Sequence, residues 1–243
     1  MARNPAARKA AKAAKRKVVV AAKRKDERDA SSLPGRVAQA AREPILRCLL
    51  SDEIYEFGMG TLVLIRGLSG GYQTVAVFQL DIFCLGVKDT VFRGMDRDAG
   101  EAFLGHLSGS TPLSAIEPEE ARKLLRDAAA WGTANGFPPH KDYAVLERLF
   151  GDVVPAATDY TPRFGREGKV SYVAGPNETP AEIARRSAIV RARFGEDAVD
   201  LTLTTFQRGG SRFYLGSTFE ADDDDDDDGV LDGEAEEVRP TPA

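Results

Sequence analysis

The chain has 243 residues, 42% of them hydrophobic and 29% charged, with a formal net charge of −5. That balance describes an ordinary globular protein of one large domain or two small ones. Two cysteines, Cys48 and Cys84, exclude a disulfide framework or a zinc cage, and no apolar run is long enough to span a bilayer.

The mean charge hides an asymmetry. Residues 1–25 carry ten Lys and Arg and no acid, whereas residues 220–243 carry twelve Asp and Glu and one Arg. Residues 1–32 alternate Ala with Lys and Arg and offer no apolar stripe to bury, so a disordered basic arm is expected over residues 1–34. Val18-Val19-Val20-Ala21-Ala22 is too short for a signal-peptide core. Unpaired cysteines and the absence of a leader point to a reduced, cytoplasmic setting.

From Val37 to Ile54, Val37, Ala41, Ile45, Cys48 and Leu49 recur at helical spacing, which predicts a helix interrupted at Pro44. Met59 to Arg66 and Tyr72 to Phe83 read as two strands of a hairpin, joined through Gly67-Leu68-Ser69-Gly70-Gly71. In the second strand Ala76, Phe78, Leu80 and Ile82 share one face, and Asp81 closes the other.

Helices are predicted at Arg97 to Leu107 and Pro118 to Ala134. The second has Pro at its first position and Asn135-Gly136 at its end. A shorter helix follows from Lys141 to Phe150. The run from Phe164 to Val173 reads as a tight turn entering a strand. Thr179-Pro180-Ala181-Glu182 is a capping box, opening a helix that carries Ile183, Val190 and Phe194 inward and stops at Gly195. A last hairpin joins Val199–Phe206 to Arg212–Phe219. Hairpins separated by helices, without regular β-α-β alternation, define an α+β fold of antiparallel hairpins packed with several helices. The expected organisation is a basic arm over 1–34, one α+β domain over 35–219 and an acidic, disordered tail over 220–243.

The densest chemistry lies where the apolar strand ends. Asp81, Cys84, Lys88 and Asp89 place two carboxylates, a thiol and an ammonium within nine residues. Such a set suits an enzyme in which a carboxylate serves as general base or a thiolate as nucleophile, with Lys88 lowering the thiol pKa and His106 or His140 as base. It equally suits a local ion-pair network, and Cys84 between Phe83 and Leu85 equally suits a buried apolar residue. With two histidines and no partner at ligand spacing, no metal or other cofactor is expected. Arg163-Phe164-Gly165-Arg166-Glu167-Gly168-Lys169 is basic and glycine-rich but lacks the phosphate-loop pattern.

The basic arm is the second candidate. Lys12, Lys15, Arg16, Lys17, Lys23, Arg24 and Lys25 fit a nucleic-acid contact driven by counterion release, or an acidic protein partner. The run Asp222 to Asp228 would compete for the same cations. A binding or regulatory module is therefore the leading expectation, and an enzyme the alternative.

Gln79-x-Asp81-x-x-Cys84-Leu85-Gly86-Val87-Lys88-Asp89, with Phe164-Gly165-x-x-Gly168-Lys169 and Gly175-Pro176, resembles an uncharacterised family of bacterial proteins. Some of its members are similar to proteins ending in a cysteine-rich SEC-C zinc motif. The resemblance spans roughly residues 40–195 and implies a bacterial cytosolic protein. No such cysteine cluster occurs in this chain, so a zinc role does not carry over.

Overall fold

Alternating apolar residues build an antiparallel sheet of five strands, in the order β4-β3-β2-β1-β5. The computed structural model describes residues 30–67, 69–109, 111–175 and 178–200. The strands are β1 (Ile45–Ser51), β2 (Met59–Gly67), β3 (Tyr72–Asp81), β4 (Gly86–Asp96) and β5 (Leu113–Ala115). Among the described residues six α-helices accompany them: α1 (Leu33–Ala40), α2 (Ile54–Phe57), α3 (Arg97–Ser108), α4 (Pro118–Ala134), α5 (Tyr143–Leu146) and α6 (Pro180–Phe194). The fold is α+β. Among the described residues no helix is long and apolar enough to cross a membrane.

Strands β2 and β3 pair without a break from Met59 opposite Asp81 to Gly67 opposite Gln73. Leu62, Leu64, Ala76, Phe78 and Leu80 share a core with Leu124, Leu125 and Ala128 of α4. Val63, Ile65, Val75 and Val77 alternate with them and are just as deeply buried. Burial on both faces explains why these strands read as nearly continuous apolar runs. Each such side chain contributes about 1.5–3 kcal/mol by leaving water. Helix α3 packs on β3 and β4, and its Glu101 pairs with Arg47 of β1.

Several expectations need correction. There is no helix from Val37 to Ile54: α1 stops at Ala40 and β1 begins at Ile45. Pro44 lacks an N–H and pushes the residue before it out of the helical region. Beyond it, Cys48 sits opposite Leu64 of β2, and that pairing overrides the helical spacing. Helix α1 also starts before residue 35, because Ser32 Oγ accepts the Gly35 N–H and caps it. Strand β3 ends at Asp81, and β4 was not foreseen. Its residues pair with β3 from Gly86 opposite Asp81 to Asp96 opposite Tyr72, with a bulge at Gln79/Leu80.

The helix expected over Lys141 to Phe150 divides into α5 and a 3-10 turn, Glu147–Phe150. The strand after Phe164 shrinks to β6 (Tyr172–Val173), which pairs in parallel with β7 (Val199–Asp200) through α6. This short β-α-β connection stands apart from the antiparallel sheet. The capping box at Thr179 is present. Val190 is fully buried, but Phe194 is 40% exposed rather than inward. Beyond Asp200, the last predicted hairpin, like residues 1–29 and the acidic tail, lies outside the described residues.

Candidate functional site

The connection from β3 to β4 is a four-residue turn, Ile82 to Leu85, organised by one carboxylate. Asp81 Oδ1 accepts the backbone N–H of Phe83 at 3.1 Å and of Cys84 at 2.8 Å. Such an Asp holds a turn by replacing backbone acceptors with its own side chain. The rest of the fold grips the same turn. Ile82 donates its N–H to Gly58 O, and Ile82 O accepts the Gly165 N–H. Phe83 O accepts the Ser171 N–H, and Cys84 O accepts from Asn135 Nδ2 at 3.0 Å. Gly86, at φ +73°, meets α4 backbone to backbone: a Cβ there would lie 2.4 Å from Ala128 O.

Asp81 is 1% exposed, and its Oδ2 has no hydrogen-bond partner among the described residues. Burial pushes its carboxyl up to about 6, against the opposing pull of Lys88 and of the Cys84 and Leu85 amides. Cys84 is fully buried, and burial followed by the Asp81 charge pushes its thiol upward. The other groups acting on it are Lys88, Glu178 and Arg186. Among the described hydrogen bonds His140 engages Thr90 and Val87, and His106 lies in the exposed last turn of α3, so no Cys84–His pair is found among them.

Lys88 turns instead to a carboxylate that sequence reading missed. Its Nζ lies 2.6 Å from Oε1 of Glu178, and Arg186 Nη1 of α6 lies 2.9 Å from the same oxygen. Tyr172 of β6 donates its hydroxyl to the other oxygen of Glu178. Burial raises the Glu178 carboxyl, but Lys88, Tyr172 and Arg186 more than offset it and leave it below its ordinary value. Asp81, Cys84, Lys88, Glu178 and Arg186 are thus one coupled interior group. The capping box that starts α6 places Glu178 one residue before the helix cap, the one local signal for it.

Asp89 does not join this group. It accepts the Thr90 N–H at 2.7 Å and lies 3.6 Å from His140 Nε2, on a half-exposed strand face. His140 Nδ1 and the Thr90 hydroxyl are 2.8 Å apart, and the His140 N–H donates to Val87 O, so this histidine fastens a loop to β4. His106 is exposed in the last turn of α3. The glycine-rich basic segment is a tight hairpin: Arg166 and Lys169 exchange backbone hydrogen bonds around Glu167 (φ +53°) and Gly168 (φ +80°). Among the described residues no group of three or more His, Cys, Asp or Glu is placed to hold a metal ion.

Fold and site define an α+β protein with a charged network buried behind the end of its central hairpin. Compared with protein-family models, curated proteins and solved structures, the chain matches none.

Proposed function

We propose that this chain is a binding module whose basic arm contacts nucleic acid. The observation that carries the reading is the acid-free run of ten Lys and Arg over residues 1–25. Cations at that density displace condensed counterions from a phosphate backbone, which gives affinity without sequence preference. The interior network is the scaffold in this reading. Asp81 Oδ1 holds the turn amides, Glu178 is paired with Lys88 and Arg186, and the Cys84 thiol is buried. The resemblance to a bacterial cytosolic family suits a partner met in the cytoplasm.

The test is the binding of a labelled duplex DNA and a single-stranded RNA at increasing salt. Intact chain is expected to bind with an affinity that falls steeply with salt, and a chain lacking residues 1–25 to lose most of it. Equal binding after the deletion removes the arm as the contact.

One feature favours the alternative, an enzyme built on the Asp81, Cys84 and Lys88 group, with Asp89 outside it. The buried Asp81 carboxyl, its Oδ2 without a hydrogen-bond partner among the described residues and its pKa pushed up to about 6 by burial, has the profile of a general acid-base group. Asp81→Asn and Lys88→Met variants that keep their fold but change no small-molecule binding would count against it.

A further inference from the structure

A groove of about 580 Å³ opens on the outer side of the Asp81 turn, between Ile82-Phe83, α2 and the hairpin over residues 163–168. Its volume falls in the range of small-molecule sites. Two arginines line it, and each is held against an aromatic ring. Arg163 Cζ lies 4.9 Å from the centroid of the Tyr55 ring, and Arg166 Cζ lies 5.8 Å from that of Phe83. These cation–π contacts hold each guanidinium over a ring and leave N–H groups to bind a ligand. Arg166 shares one edge with Asp200 at 3.1 Å. Arg163 has no ion pair or hydrogen bond among the described residues.

The lining is not uniformly cationic. Glu56 and Glu167 also face the groove, and Phe164 closes it, stacked on Trp131 at 5.7 Å between centroids. Two carboxylates disfavour a continuous polyanion. They suit a ligand with an anion at one end and N–H donors at the other, joined by a planar body.

We propose that this groove binds a nucleoside monophosphate whose base carries amino and ring N–H donors. The phosphate lies against Arg163 and Arg166, which bind it in the forked manner of guanidinium groups. The base stacks among the rings and guanidinium planes, as bases do on aromatic and arginine surfaces. Its N–H edge faces Glu56 or Glu167. The site does not depend on the basic arm, so it stands or falls separately from the nucleic-acid reading.

Trp131 is the single tryptophan of the chain and touches Phe164, so the protein carries its own reporter. Guanosine monophosphate is the probe, followed by tryptophan emission and by calorimetry on the full chain, with inorganic phosphate as comparison. Saturable binding is expected, weakened about tenfold or more in Arg163→Gln, since one charge-assisted contact is lost. Arg163 is exposed, so this variant folds, and circular dichroism checks it. Three results would each overturn the proposal. They are no heat and no emission change up to about 10 mM nucleotide, equal binding by Arg163→Gln, and inorganic phosphate binding as tightly as the nucleotide.

Discussion

Lys88 Nζ and Glu178 Oε1 lie 2.6 Å apart, joining strand β4 to the segment that leads into α6 across ninety residues of sequence. Both side chains are largely buried, 17% and 6% exposed. A buried charge that loses its partner is costly, often 3–5 kcal/mol. Here Glu178 keeps Arg186 and Tyr172, so the loss is smaller. Lys88→Met is expected to destabilise by about 2 kcal/mol. In a double-mutant cycle with Glu178→Gln, urea unfolding should show coupling on the order of 1 kcal/mol. Additive effects would mean that the two residues stabilise the fold independently.

Asp81 makes stability depend on pH in the direction opposite to an ordinary ion-paired carboxylate. In the unfolded chain it loses its proton near 3.8, in the folded chain only near 6. Between those values the folded state binds more protons, so stability falls as pH rises and levels off above about 6. From pH 4.5 to 7.5 the loss amounts to roughly 2 kcal/mol. Asp81→Asn keeps an acceptor for the turn amides but has no proton to lose. The stability difference between wild type and Asp81→Asn should therefore shift in favour of the variant by that amount on going to pH 7.5. Glu178, held below its ordinary value, contributes the reverse trend at lower pH, below that window. A pH-independent difference would show that Asp81 titrates normally.

How legible this architecture was in the sequence depended on whether the signal was local. The starts of α4 and α6 and the β2–β3 hairpin were legible because their signals lie within a few residues: a proline at the first turn, a capping box, an alternating apolar run. β1 was not, since Cys48 and Leu50 gain their strand state from pairing with β2, and helical spacing there was accidental. β4 was hidden because an edge strand carrying Lys88, Asp89 and Arg93 alternates weakly and reads as a charged loop. Asp81 and Lys88 were singled out for their chemistry. Their partner Glu178 and the arginines of the outer groove come from segments brought near only by tertiary folding, and spacing in the chain carries no trace of that.

Two glycines in helices should respond in opposite ways to the same substitution. Gly132 faces the Asp81 turn so closely that a Cβ would lie 2.4 Å from Leu85 O. Gly132→Ala is expected to cost about 2 kcal/mol or more through overpacking, despite the better helix propensity of Ala. Gly105 in α3 is exposed, and its Cβ would meet nothing within 4 Å. Gly105→Ala should stabilise by about 0.5–1 kcal/mol. Urea unfolding of the two variants gives the signs directly. A neutral Gly132→Ala would show that α4 can move away from the turn.

The thiols decide between the scaffold and the enzyme. Cys84 is fully buried with its pKa pushed upward, and Cys48 is 4% exposed with its thiol raised to about 12 by burial. Thiolate is the reactive form, and neither group offers it at neutral pH or exposes it to a reagent. In the native chain both should react with a disulfide reagent only as fast as the fold opens, and both should react at once in denaturant. A Cys48→Ala variant isolates Cys84. If its rate falls in step with measures that stabilise the fold, such as Gly105→Ala, then opening limits access and Cys84 is packing for the turn. A fast native reaction, indifferent to stability, would instead require a thiolate open to solvent. That result would return the Asp81, Cys84 and Lys88 group to catalysis.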